Sequence, residues 1–312
     1  MKKSASFPSL SALPKPRLLL LGISLLTLSA CGSDKKPDQP TDTLSAGTIE
    51  ISADETYRPV IEEQKKVFDS SYPNANLTIH YKPEAECFGD LIEKKSRLIL
   101  VTRQLSAEEK QAYLDRKMVT TSLELARDGV ALVTSLASKD SVFVMPQLKG
   151  ILTGTYKDKI TVVFDHAGSS TVRFIQDSIL RGEKLGPNVF AAGSADSVIA
   201  YVKQNPGAIG FVGMPYVFDG VEDFRQDVRI GAIKNDSTGE FLKPYQAYVA
   251  LRTYPLTRTL YYINRESYPG LGTGFANFIA KERGQLIFRT FGLFPLRMNV
   301  VIRDANVNSS GI

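Results

Sequence analysis

The chain has 312 residues, 43% hydrophobic and 23% charged, which is long enough for more than one packed core and too apolar for a disordered chain. Four of its 38 basic side chains, Lys2, Lys3, Lys15 and Arg17, lie in the first 30 residues, which hold no acid; the remainder sets 34 against 33 carboxylates. The formal +5 therefore belongs to the N-terminus, and the rest of the chain offers no basic surface for nucleic acid.

The first element in chain order is a targeting segment. Its apolar run, Leu18–Leu28, is far shorter than the roughly 20 residues a spanning helix needs. It ends in Leu28-Ser29-Ala30-Cys31, which resembles the bacterial lipobox, whose cysteine is diacylated and becomes the mature N-terminus; an ordinary secretory signal with a chance cysteine is the alternative. Residues 1–30 then form the signal peptide, and residues 31–46 a lipidated Cys31 on a flexible, polar, Pro-containing tether. More than one acyl chain suffices to hold a protein at a membrane surface.

Strands and helices alternate from there. Strands are expected at 47–52, 76–81, 97–102, 129–135, 160–164, 208–212 and 247–252, from β-branched and apolar runs bounded by turn residues. Helices are expected over 58–68, from Ser106 (with Glu109 at capping-box spacing) to about Lys117, and near 171–181, 195–204 and 273–291. Such alternation predicts an α/β fold with largely parallel sheets, in which ligands sit at the carboxyl ends of strands. The aromatic clusters 216–224 and 261–268 read as packing, and 285–297 as an amphipathic helix closing the first core, since Arg289 interrupts its apolar run.

With Cys31 lipidated, Cys87 has no disulfide partner. Two histidines, His80 and His166, and one thiol lack metal-ligand spacing, and no cofactor is implied. A Cys87–His166 nucleophile pair is the one enzymatic arrangement left open, against the commoner buried thiol; the chain is expected not to be an enzyme.

The stretch Val162–Leu180 poses the sharpest question. A short strand passes through Gly168-Ser169-Ser170-Thr171 into a helical pattern, placing three hydroxyls beside the unpaired N–H groups and positive dipole end of a helix. That suits an oxyanion. It is neither a P-loop, lacking the Lys, nor a nucleophile elbow, since Val172 stands where the final Gly would be. Simple capping by Ser169 is the alternative.

Other segments repeat the device: Thr56-Tyr57 after the first strand, and Thr102-Arg103 after the third. Together with Ala126–Ser135, Gln147–Tyr156 and the string Asn205-Pro206-Gly207-Ala208-Ile209-Gly210, they resemble the phosphate-binding proteins of phosphate ABC importers, a branch of the type II periplasmic solute-binding proteins. The resemblance spans nearly all of residues 47–295. It implies an α/β fold of two lobes, each a mainly parallel sheet flanked by helices, with 47–130 plus 247–312 in lobe one and 131–246 in lobe two. A phosphate-like oxyanion would lie in the cleft, held by Thr56 and Tyr57 from one lobe and Ser169, Ser170 and Thr171 from the other.

The departures are as informative. Thr102 stands where the family has an Asp that accepts the anion's proton, Asp165 where it has an Arg on the anion, and Glu86 at a Ser position. Arg103 would then face the anion while Asp165 or Glu86 accepts its proton; Asp165 capping the helix or pairing with Arg173 is the alternative. The implied protein is a monomeric binding lipoprotein of the bacterial envelope, on its extracytoplasmic face, that delivers solute to ABC permease subunits. A relative with an altered pocket, binding another small ligand or acting as a sensor or scaffold, is the second reading.

Overall fold

The computed structural model describes residues 42–220 and 223–300. Strand β1 (Gly47–Asp54) leads through a single 3-10 turn into helix α1 (Arg58–Ser71), followed by β2 (Ala75–Lys82), α2 (Glu84–Ile92), β3 (Leu98–Val101), α3 (Ala107–Asp115) and the long β4 (Thr121–Thr134). Then come β5 (Val142–Phe143), α4 (Met145–Thr153), β6 (Thr161–Phe164), α5 (Ser170–Ile175), β7 (Val189–Ala191), α6 (Ala195–Gln204), β8 (Ala208–Gly213), and the short β9 (Arg229–Ile230), β10 (Ala232–Lys234) and β11 (Phe241–Leu242). The chain continues through α7 (Gln246–Ala250), β12 (Thr257–Asn264), α8 (Leu271–Ala280), α9 (Glu282–Thr290) and β13 (Phe294–Pro295).

Strands β5, β10 and β11 form a three-stranded sheet, and one curled sheet holds most of the strands, in the order β2-β1-β3-β12-β4-β8-β6-β7. Its flanks are parallel, β1 with β2 and β3, and β6 with β7 and β8. Its centre is antiparallel, because β12 runs against both β3 and β4, and β4 against β8. Strand β4 joins two halves: Thr121–Gly129 pair with β12, and Val130–Thr134 with β8.

Apolar periodicity builds the cores. Helix α1 starts with Pro59 in its first turn and turns Val60, Ile61 and Phe68 inward. Phe68 meets Phe275 and Phe278 edge-on at 5.3 and 5.4 Å, and each such buried ring contributes about 1.5–3 kcal/mol. In the other half Phe164 stacks on Phe211 at 5.3 Å.

Two sequence expectations are corrected and one is refined. Residues 247–252 are not a strand; Val249 and Ala250 are buried on helix α7, where the Val249 N–H donates to the Tyr245 carbonyl. The aromatic run from Tyr261 does pack, as the sequence suggests, and it does so as part of a strand the sequence reading does not mark, β12, hydrogen-bonded on both edges to β3 and β4. The stretch 273–291 is two helices, broken at Lys281, whose extended backbone (ψ 175°) turns the chain.

The tether is also shorter than the sequence suggests. Asp42 is 5% exposed, pairs with Arg97 and accepts a 2.9 Å bond from the Leu271 N–H. Burial alone would raise its pKa, but hydrogen bonds from Arg97 and Tyr268 hold the carboxyl at about 2. Gly274 admits the segment, since a Cβ there would stand 1.8 Å from the Leu44 carbonyl oxygen. Cys31 and the signal segment lie outside the described residues.

Candidate functional site

Hydrogen bonds cross between the segments that follow β1 and β3 and the segment that follows β6. The Asp54 carboxylate at the end of β1 accepts from the Thr56 N–H at 3.1 Å and so starts the turn into α1. Opposite, Ser169 caps α5, its oxygen accepting from the Val172 N–H at 3.2 Å. Ser170 next to it reaches across: its hydroxyl lies 3.4 Å from that of Thr56 and accepts from Arg258 Nη1 at 2.9 Å.

Arg258, on β12, is the hub. It is 4% exposed, and its Nε donates to Asp128 Oδ2 at 2.9 Å. Asp128 is also held by the Tyr57 hydroxyl at 2.9 Å and the Met214 N–H at 3.2 Å. Gly213 keeps the floor low; a Cβ there would stand 2.4 Å from Thr56 Cγ2 and 3.3 Å from Arg258 Nη2. Two buried polar atoms of this cluster, Arg258 Nη2 and Asp54 Oδ2, have no hydrogen-bond partner, nor has Thr171 Oγ1, next in the chain to Ser170. Leaving such atoms unpaired costs about 1–3 kcal/mol each, so the arrangement is disposed to take a polar guest.

A second cluster crosses the halves beside the first. Glu84 Oε1 accepts from the Thr102 N–H at 2.6 Å and from the Thr102 hydroxyl at 2.7 Å. Its Oε2 accepts from Arg173 Nε at 2.7 Å, and Arg173 Nη2 donates to the Thr102 oxygen at 2.7 Å. All four of these bonds stay within the protein.

The surroundings are rich in carboxylates. Burial, then the charge of Glu84, pushes Asp54 up to about 7. Burial, then Asp165 and Asp54, pushes Glu55 up to about 7 as well. Asp165 is 2% exposed and also raised by burial, although the Ser169 hydroxyl and the His166 N–H (2.9 Å) donate to it. Two openings reach the clusters. A pocket of about 410 Å³ is lined by Glu55, Thr56, Arg58, Asp165, Asp196 and Tyr216. One of about 170 Å³ is lined by Glu84, Phe88, Arg103, Ser169 and Arg173 among others.

Of the residues the sequence singles out, Thr56, Asp165, Ser169, Ser170 and Thr171 lie together at this junction, and Thr102 lies in the adjoining cluster. Tyr57 is wholly buried behind it, its hydroxyl engaged by Asp128. Arg103 stands at the rim of the smaller pocket, bidentate to Glu109 at 2.7 and 2.8 Å and stacked 3.7 Å over Phe88. Glu86 is corrected: it is exposed, and Glu84, two residues earlier, is the buried carboxylate. Arg173 pairs with Glu84 and Asp177 rather than with Asp165.

Asp54, Glu84, Asp128 and Arg258 escape the sequence reading. For Glu84 a signal exists, since Glu84, Cys87, Phe88 and Leu91 share one helical face and all are buried. Cys87 is a core residue whose thiol burial pushes up, with Sγ 3.9 Å from the Lys82 carbonyl, while His166 sits 3.2 Å from Glu55. No Cys–His pair forms from them. Among the described residues no group of three or more His, Cys, Asp or Glu side chains is placed to hold a metal ion, and no helix is long and apolar enough to cross a membrane.

The sequence model of the PBP superfamily domain matches residues 38–283. Solved structures share the fold. A putative phosphate ABC transporter substrate-binding protein with bound phosphate from Clostridium perfringens is 24% identical, with a TM-score of 0.69 over 80% of this chain and 100% of its own. An ABC-type phosphate transport receptor from Vibrio cholerae is 18% identical, with a TM-score of 0.63 over 79% of this chain and 99% of its own. A possible phosphate binding protein from Planctomyces limnophilus is 17% identical, with a TM-score of 0.57 over 80% and 93%. No curated protein matches the chain significantly.

Proposed function

Since the chain belongs to the PBP superfamily, whose domains bind solutes rather than transform them, we propose that it is the solute-binding lipoprotein of an ABC importer and takes a phosphate-like oxyanion between its halves. One observation carries this reading: two buried donors, Arg258 Nη2 and Thr171 Oγ1, and one buried acceptor, Asp54 Oδ2, are unpartnered, the first and last in one cluster and Thr171 next in the chain to its Ser170. A cationic donor, a hydroxyl donor and a carboxylate acceptor suit an oxyanion that still carries a proton. In this reading Asp54 takes the proton-accepting part the sequence assigned to Asp165, and Arg258 the countercharge it assigned to Arg103. Sulfate, with no proton to offer, meets the carboxylate as a repulsion.

Calorimetric titration of the chain with phosphate, sulfate, arsenate and molybdate tests this. Phosphate and arsenate are expected to bind, and sulfate far more weakly. Thr171→Val keeps the shape and removes a donor to a charged guest, worth about 1.5–3 kcal/mol, so phosphate affinity should fall about ten- to a hundredfold. No heat with any of the four anions overturns the reading.

The carboxylates on the larger pocket, Glu55, Glu62, Asp165 and Asp196 against Arg58, favour one alternative: a solute that pairs its oxyanion with a positive charge. Binding of 2-aminoethyl phosphate in the absence of phosphate binding would select it.

The anchor belongs to the same proposal. Cys31→Ala is expected to move the protein from the membrane to the soluble fraction on fractionation without changing its melting temperature. Retention of the variant at the membrane would remove the lipoprotein assignment.

A further inference from the structure

A backbone N–H, a hydroxyl and a guanidinium converging on one point are the means by which proteins hold a small oxyanion. In the second cross-half cluster that anion is the protein's own. Glu84 is 2% exposed and receives the Thr102 N–H, the Thr102 hydroxyl and Arg173 Nε at 2.6 to 2.7 Å. The donors come from both sides of the cleft: Thr102 follows β3 in one half, and Arg173 lies on α5 in the other. Helix α2 delivers the carboxylate from its first residue, directly after Pro83, and there the halves touch, the Ala85 N–H reaching the Gly168 carbonyl at 3.5 Å. The pocket of about 170 Å³ opens on the cluster, and its wall carries two guanidinium groups, Arg103 and Arg173.

We propose that Glu84 is a tethered anion that determines which solutes the cleft accepts. It fills a complete oxyanion seat, so an incoming anion is confined to the neighbouring Ser170 and Arg258 side. Its charge also helps raise Asp54, the neighbouring carboxyl, and repels any guest that arrives fully ionised. Removing the carboxylate uncovers a seat of three ready donors, sized for a tetrahedral oxyanion such as inorganic phosphate or sulfate. The inference rests on the solute-binding reading of the cleft but not on phosphate being the natural solute.

The test is titration of the parent chain, Glu84→Ser and Glu84→Gln with inorganic phosphate and with sulfate. Glu84→Ser vacates the seat and is expected to bind both anions at least tenfold more tightly than the parent, with the preference for phosphate lost. Glu84→Gln keeps the seat filled and is expected to show no such gain. Adding Arg173→Met to Glu84→Ser should abolish the gain. A parent that binds neither anion beside a Glu84→Ser variant that binds both would uphold this inference while removing the phosphate reading. A parent that binds phosphate beside a Glu84→Ser variant of unchanged affinity and selectivity would overturn this inference alone. Circular dichroism checks folding; if Glu84→Ser does not fold, Glu84→Ala is read by the same outcomes.

Discussion

Arg258→Met is expected to unfold the chain more readily than any other single change at the junction. The guanidinium is 4% exposed and is the only cation bonded to Asp128, itself wholly buried, among the ion pairs of the described residues. Methionine fills much of the volume, so the loss is chiefly electrostatic: Asp128 would keep the Tyr57 hydroxyl and the Met214 N–H but stand in the core as an uncompensated charge. Breaking a buried pair from one side costs about 3–5 kcal/mol. For a chain of this size that is a fall of roughly 10 °C in melting temperature. The double variant Arg258→Met, Asp128→Asn should recover most of it, because the uncharged amide oxygen can keep accepting from the Met214 N–H while its NH2 donates to the Tyr57 hydroxyl. Arg258→Lys should fall between, since a point charge cannot span Asp128 and Ser170 as the fork does. Thermal denaturation followed by circular dichroism reads all three. A loss below about 1 kcal/mol in Arg258→Met would mean that the pair is not the hub described here.

How far this site could be read in the sequence depends on which residues announce themselves locally. Ser169, Ser170 and Thr171 do, because a glycine turn followed by hydroxyls before a helical pattern marks a helix N-terminus, whether its hydroxyls cap the helix, as Ser169 does, or face a ligand. Thr56 does for the same reason, and the strands that deliver both segments are legible from their apolar runs. Arg258 does not. It is one charged residue in a strand of β-formers, Thr257–Asn264, and what buries it is pairing with β4, well over a hundred residues away in the chain. Asp128 and Asp54 are hidden likewise, as single carboxylates in the middle of β4 and at the end of β1, brought together only by the sheet order. Glu84 and Glu86 differ otherwise. Both sit in the first turn of α2, and only the face shared with Cys87, Phe88 and Leu91 tells them apart. Helix α7 reads as a strand in the sequence because five residues are too few for a period of 3.6 to separate from a period of 2. The departures from the resembling family are visible in the sequence, whereas Arg258, to which the proposed reading gives the countercharge, comes from a distant strand that no local comparison reaches.

Carboxyls pushed upward give the second large effect, a dependence of stability on pH that is inverted at neutrality. Asp54 and Glu55 both stand near 7 in the folded chain, against ordinary values of 3.8 and 4.5, with burial the first cause of each. Between about pH 4 and 7 the folded chain therefore holds protons that the unfolded chain has released. Stability must fall as pH rises through that window and level off above it. Asp165, raised by the same cause, adds to the slope. The groups facing these carboxyls set its size: Arg258 lowers Asp54, Arg58 lowers Glu55, and Glu84 raises Asp54. The opposite arm comes from Asp42, which stands at about 2 in the folded chain and is lost as a stabiliser when pH falls from 3.8 through that value. The melting temperature is thus expected to peak near pH 4 to 5 and to decline toward pH 8, where many proteins are still at their plateau. Asp54→Asn fixes the uncharged form, so it should raise the melting temperature at pH 8 and leave it nearly unchanged at pH 5. A flat profile from pH 5 to 8 in the parent, or a variant equally destabilised at both, would show that Asp54 is not held protonated at the junction. If the decline is found, a proton-bearing oxyanion should lessen it, because its proton satisfies at Asp54 the acceptor that rising pH otherwise leaves bare.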